Sequence, residues 1–267
     1  MNQPTQALLS RREGTVLVLS NNNPAARNAL SPEFYVGLTV ALRQAAADPT
    51  IGAIVLTGEG NHFCSGGDLR QLATRRELPR EERLAKLEEL HSLIRAVRDC
   101  AKPVIAAVEG AAAGAGLSLA LACDMLVAAR TAVFSAAYVK VGLTPDGGAT
   151  AFLAEFVSRQ VLTELALTGE RITGERLGAL GAVNRLVEAG QALDVAIELA
   201  TQIAKGPELA MARIKDLCRQ APRNTLEQQL SLEAQYMVLS QETEESREGI
   251  GAFLEKRQPE FVGLRKA

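Results

Sequence analysis

Two glycine-bearing segments constrain this chain more than any other feature. His62-Phe63-Cys64-Ser65-Gly66-Gly67-Asp68-Leu69 and Gly110-Ala111-Ala112-Ala113-Gly114-Ala115-Gly116-Leu117 each close an apolar, strand-like run and open toward a helix-like one. Small residues at such a turn leave the main chain bare, and the helix that follows adds the positive end of its dipole. Two turns of this kind can aim two N–H donors at one oxygen, which is what a developing oxyanion requires. Each turn taken separately is also an ordinary packing device between a strand and a helix.

The rest of the chain sets limits. With 267 residues and 47% hydrophobic content it is long enough for one large or two modest domains with a real core. A net charge of −2 gives no electrostatic case for nucleic acid or an anionic membrane as the main partner. Residues 70–98 hold eight Lys and Arg, but Glu77, Glu81, Glu82, Glu88 and Glu89 interleave with them, the pattern of a solvated helix rather than an RNA-binding face. Cys64, Cys100, Cys123 and Cys218 are scattered, with only His62 and His91 to help them hold a metal, so the expectation is buried thiols in a reducing compartment and no metal site. Met1 to Ser10 lacks a basic region followed by an apolar one, which makes a cytoplasmic location the expectation. The most apolar run, Val104 to Ala129, is broken by Glu109, Ser118, Asp124 and glycines, and reads as strand, turn and buried helix, not as a membrane span.

Short apolar runs alternate with amphipathic ones. Val16–Leu19, Ala53–Thr57, Val104–Val108, Leu126–Ala128 and Val183–Val187 read as strands. Ser31-Pro32-Glu33 starts a helix whose Phe34, Leu38, Ala41, Leu42 and Ala45 recur at helical spacing until Asp48-Pro49. Glu81–Arg98 is a second, with Leu84, Leu87, Leu90, Ile94 and Val97 on one face. From Ala192 the strands vanish, and 192–204, 207–218, 225–240 and 244–257 read as helices. This shift divides an α/β core, residues 1–200, from a helical region, 201–267.

The two turns, taken with Pro24–Leu30, Ala101–Val108, Leu121–Asp124, Gly142–Gly148, Leu167–Glu170 and Arg247–Arg257, resemble the enoyl-CoA hydratase/isomerase, or crotonase, superfamily over nearly the whole chain. The resemblance implies a spiral of ββα units, a C-terminal helical region that packs homotrimers or a dimer of trimers, and an acyl-CoA thioester as substrate. Coenzyme A then arrives as part of that substrate, and no other cofactor is implied. Matched position by position, the thioester carbonyl would receive N–H bonds from Gly67 and Ala115. Arg27, Gly66, Asp68 and Leu69 fall where the family contacts the nucleotide end of CoA, and Phe253 and Lys256 where it reaches a neighbouring subunit's CoA.

What differs is the acid–base apparatus. The two glutamates with which a family hydratase activates water match Ser118 and Tyr138, and neither is a carboxylate. These two residues either line the pocket or act in it as polar groups. Asp146, in Pro145-Asp146-Gly147-Gly148, falls where some family isomerases carry a single catalytic acid, although Pro-Asp-Gly is also ordinary turn chemistry and an aspartate there can cap the next helix. Asp68 and Asp124 read as carboxylates that tie down backbone N–H groups. The leading expectation is an acyl-CoA isomerase that moves a double bond, or rearranges a ring-derived CoA ester as in phenylacetate breakdown, with Asp146 as acid/base. The alternatives are a hydratase or ring-opening hydrolase using Asp146 alone, an RNA-binding member, and an inactive CoA-binding scaffold.

Overall fold

Apolar residues on both faces of every central strand require cover on both sides, and the chain supplies it with helices. The computed structural model describes residues 6–265; Met1–Thr5, part of the segment read for a targeting signal, lie outside the described residues. The first half runs β1 (Leu8–Glu13), β2 (Val16–Asn21), α1 (Pro32–Ala47), β3 (Ala53–Gly58), α2 (Leu69–Arg75), α3 (Arg80–Arg98), β4 (Val104–Val108), β5 (Ala111–Ala113) and α4 (Ala115–Ala122). It continues with β6 (Met125–Ala129), β7 (Val133–Ser135), α5 (Ala149–Ala154), α6 (Arg159–Thr168), β8 (Ile172–Thr173), α7 (Gly174–Ala179) and β9 (Arg185–Val187). Four helices close the chain: α8 (Ala192–Ile203), α9 (Glu208–Gln220), α10 (Leu226–Gln241) and α11 (Glu244–Glu255).

The main sheet has the order β1-β2-β3-β4-β6-β9, with β1 antiparallel to β2 and the remaining pairs parallel. A smaller sheet, β5-β7-β8, carries the second glycine turn. The strand period of two sorts the main sheet's residues cleanly. Val16, Val18, Ala53, Val55, Ile105, Ala107 and Val127 face α8, while Leu19, Ile54, Leu56, Val104, Ala106, Val108, Leu126 and Ala128 face the core shared with α1, α3 and α4. Each fully buried Val or Ile here contributes about 1.5–3 kcal/mol.

Helix α1 begins as its sequence requires: the Ser31 hydroxyl accepts from the Phe34 amide at 3.3 Å and Pro32 occupies the first turn. Helix α8 approaches the sheet on Ala192, Ala196, Ala200 and Ala204, one small residue per turn, and the Glu109 carboxylate caps its start by accepting from Gly190 and Ala192 amides at 3.0 and 2.9 Å. Residue 200, the boundary expected from sequence, therefore lies inside a helix packed on the sheet, and the helices that leave the sheet start with α9. Among the described residues, no helix is long and apolar enough to cross a membrane.

Three departures from the sequence reading have physical causes. Strands β1, β5, β7 and β8 were not expected; β1 is a largely exposed edge without an apolar face, and the others are two or three residues long. Leu84 on α3 is exposed, because the core begins at Leu90 and the first turns of that helix extend past it. Cys64 and Cys100 are buried and Cys123 partly so, but Cys218 is exposed, since it sits on α9 beyond the core.

Candidate active site

The two glycine turns meet. The Cys64 amide donates to the Ala111 carbonyl at 2.9 Å and the Ala113 amide to the Cys64 carbonyl at 3.0 Å, a parallel bridge that lays the first turn along β5. Gly66, at φ +96°, is where the contact is tightest: a Cβ there would stand 2.7 Å from the Ala113 carbonyl oxygen and 3.5 Å from the Ala115 nitrogen. Only glycine holds that conformation and that approach. The neighbouring amides are used, Ser65 donating to Arg27 O at 3.0 Å and Gly114 to Ser135 O at 2.9 Å. The amides of Gly67 and Ala115 donate to no protein acceptor among the described residues. Ala115 is the first residue of α4, so its N–H also lies at the positive end of that helix.

The Pro24–Leu30 stretch is the frame behind the first turn. Arg27 and Asn28 adopt left-handed backbone, φ +52° and +56°. The fully buried Asn28 side chain donates to the carbonyls of Glu59 and His62 at 2.9 and 2.6 Å and accepts from the Asn23 amide at 2.9 Å. The Leu30 amide donates to Gly66 O at 2.8 Å. Arg27, Gly66, Asp68 and Leu69 thus share one rim: Arg27 and Leu69 are exposed, and the Asp68 carboxylate caps α2 by accepting from the Arg70 amide at 2.9 Å. Phe253 and Lys256 are not brought to that rim within one chain. Phe253 lies on α11 and Lys256 just past its end; α11 packs on α10, and Phe253 is 83% exposed.

Ser118, one turn along α4 from Ala115, is fully buried and meets Tyr138 and Asp146. Tyr138 donates to Asp146 Oδ1 at 2.9 Å, Ser118 donates to the Asp146 carbonyl at 3.0 Å, and the two hydroxyl oxygens stand 3.4 Å apart. The Asp146 carboxylate does not cap α5, whose N-cap position is Gly148 with no side-chain bond. Burial raises the Asp146 carboxyl above the ordinary aspartate value, while the Tyr138 hydroxyl and the charges of His91 and Arg75 oppose the rise. Burial also pushes the Tyr138 hydroxyl well up, so it stays protonated and donates. Cys64, pushed up to about 12 by burial, is no nucleophile at neutral pH.

Asp124 lies apart from this cluster: its carboxylate accepts from the Val104 amide at 2.8 Å and pairs with Lys215 at 2.7 Å, as a structural carboxylate does. The sequence reading gave Arg75, His91 and Tyr35 no part near Asp146. The charges of Arg75 and His91 favour its ionised form, and the buried Tyr35 hydroxyl, pushed up to about 12 chiefly by burial, feels the Asp146 charge in turn. Tyr35 keeps helical register with Leu38 and Leu42 and was findable as a polar-tipped member of that stripe; Arg75 left no sequence signal.

Comparison with known proteins identifies the family and the fold. Residues 11–264 match the family model described as enoyl-CoA hydratase/isomerase. The 1,2-epoxyphenylacetyl-CoA isomerase of Escherichia coli K12 is 37% identical over 257 residues, covering 96% of this chain and 98% of that protein. The 2,3-dehydroadipyl-CoA hydratase of the same organism is 35% identical with the same coverage. A crystal structure of an enoyl-CoA hydratase from Polaromonas sp. JS666 superposes with a TM-score of 0.92 at 47% identity, covering 95% of this chain and 98% of that one.

Proposed function

Because this chain belongs to the enoyl-CoA hydratase/isomerase family and has the crotonase fold, we propose that it is an acyl-CoA isomerase that shifts a double bond, or rearranges a ring-derived acyl group, through an enolate. The observation that carries this reading is Asp146: its half-buried carboxylate does not cap α5 and accepts from the Tyr138 hydroxyl, while its carbonyl accepts from Ser118, one turn beyond Ala115 on α4.

In this reading the thioester carbonyl lies against the Gly67 and Ala115 amides. A thioester enolate is too basic to form unaided at neutral pH, and one well-placed donor of this kind is worth about 3 kcal/mol. Asp146 removes a proton from one carbon and returns it two carbons away, a shift that adds and expels no atoms. Its raised pKa suits the task, because a base closer to neutrality is also a competent acid. The CoA nucleotide rests on the Arg27–Leu69 rim. Phe253 and Lys256 serve a neighbouring subunit's CoA in a homotrimer or dimer of trimers, an assembly favoured by the exposed Leu226, Met237, Phe253 and Leu254 of α10 and α11.

The similarity to an epoxyphenylacetyl-CoA isomerase supports a ring-derived substrate. The nearly equal similarity to a dehydroadipyl-CoA hydratase favours a second reading, in which Asp146 alone activates water. Turnover of 2-enoyl-, 3-enoyl- and phenylacetyl-derived CoA esters separates the two. The isomerase reading expects 3-enoyl or ring-derived esters to be converted and crotonyl-CoA to be hydrated very slowly; rapid hydration of crotonyl-CoA overturns it.

A further inference from the structure

The proton count at the Ser118–Tyr138–Asp146 cluster goes beyond which residue is the base. Each hydroxyl carries one proton. The two shortest contacts use both: Tyr138 to the Asp146 carboxylate at 2.9 Å and Ser118 to the Asp146 carbonyl at 3.0 Å. The Tyr138 hydroxyl also stands 3.3 Å from the Asp146 carbonyl, longer than its contact with the carboxylate, and the Ser118–Tyr138 separation, 3.4 Å, is the longest of the four, as expected of two oxygens that both donate elsewhere. We infer that Tyr138 and Ser118 form a paired clamp on Asp146, Tyr138 on its side chain and Ser118 on its main chain, so that the two positions matching the hydratase glutamates position a base instead of supplying one.

Gly147 makes the clamp fit. It stands at φ +59°, and a Cβ on it would lie 3.0 Å from Ser118 Cβ and 3.2 Å from Ser118 Oγ. The turn carrying Asp146 is therefore packed directly against position 118, whose serine is fully buried. The groups acting on Asp146 from the surrounding elements are Arg75 of α2 and His91 of α3, both favouring its charged form, with the hydroxyls of Ser118 of α4 and of Tyr138; the buried Tyr35 of α1 feels the Asp146 charge. Of these groups Tyr138 is the one that bonds the carboxylate directly.

This inference rests on the proposed role of Asp146 for its catalytic meaning, and the test keeps the two separable. The Asp146 carboxyl is titrated by carbon-13 NMR in substrate-free protein, its signal assigned by its loss in Asp146→Asn. Tyr138→Phe keeps the ring and removes only the donor. The titration is expected to move up by about one pH unit, the size of losing one hydrogen bond to a charged carboxylate with partial replacement by water. The acidic limb of kcat/KM for 3-hexenoyl-CoA should move with it, with kcat falling and KM little changed. Ser118→Ala is expected to lower kcat while leaving the titration in place. If Tyr138→Phe leaves the Asp146 titration where it was while the melting temperature is unchanged, the clamp is wrong. If the titration moves but Asp146→Asn retains full turnover, the clamp stands and the assignment of Asp146 as base falls.

Discussion

Asp146→Asn should separate catalysis from stability in opposite directions. The substitution keeps the size of the side chain, and Asn Oδ1 can still accept from Tyr138, now as a neutral bond instead of a charge-assisted one. No helix cap is lost, since α5 is not capped by this side chain, so the penalty of about 1 kcal/mol that removal of a true cap brings does not arise. Burial raises the Asp146 pKa on folding. Below the unfolded value, about 3.9, the carboxyl is neutral in both states and its contribution to stability is fully present. As pH rises through the raised folded value, the fold must hold a half-buried charge and that contribution is lost. The Asn variant has no such loss, so it should match the wild type near pH 4 and equal or exceed it in melting temperature at pH 7. Turnover should fall by about 10²–10⁴, or about 3–5 kcal/mol of activation free energy. Steady-state kinetics on the best acyl-CoA ester, paired with thermal melts at both pH values, reads both effects. Full activity, or a melting temperature clearly lowered at pH 7, would refute the reasoning.

Gly66→Ala places a methyl 2.7 Å from the Ala113 carbonyl at a φ of +96°, so stability should drop by about 1–3 kcal/mol and turnover per folded molecule should collapse as the two amides move apart; unchanged turnover in correctly folded protein, quantified by urea denaturation and active-site titration, would mean that the spacing of the turns is immaterial. Asp124→Asn keeps an acceptor for the Val104 amide but leaves the largely buried Lys215 charge without its counter-ion, with only the Lys102 carbonyl still accepting from it, and should cost about 3 kcal/mol in urea unfolding with turnover per folded molecule unaltered; a loss of catalysis without a loss of stability would reverse that assignment. Light scattering should give a mass of three or six chains, and a stable monomer would leave Phe253 and Lys256 without the role proposed for them.

Much of this architecture was legible because burial writes a period into sequence. The short, continuous apolar runs Val16–Leu19 and Ala53–Thr57 marked the central strands, which are covered on both faces, and Ser31-Pro32-Glu33 marked the start of α1 to the residue. Strand β5 was hidden because three alanines have no period, and β8 because two residues cannot show one. The division near residue 200 followed the disappearance of strands, whereas the packing continues along the alanine face of α8 to Ala204. In the candidate site, the glycine turns were visible as composition, but their contact at Gly66 is a tertiary fact. Sequence left Asp146 open between base and cap; the structure shows no side-chain cap on α5, which removes the second reading, and no local pattern encodes it. Ser118, Tyr138 and Asp146 come from a helix, a short 3-10 turn and a loop, and their shared hydrogen bonds emerge only when those elements pack.

The most direct test of the account is the mass of the product. An isomerase with one carboxylate returns the proton it removes, so 3-hexenoyl-CoA or a ring-derived CoA ester should give a product of the same mass as the substrate, with the new double bond visible in its ultraviolet spectrum. A principal product heavier by one water, formed at the rate of substrate loss, would contradict the account and make Asp146 the base of a hydratase.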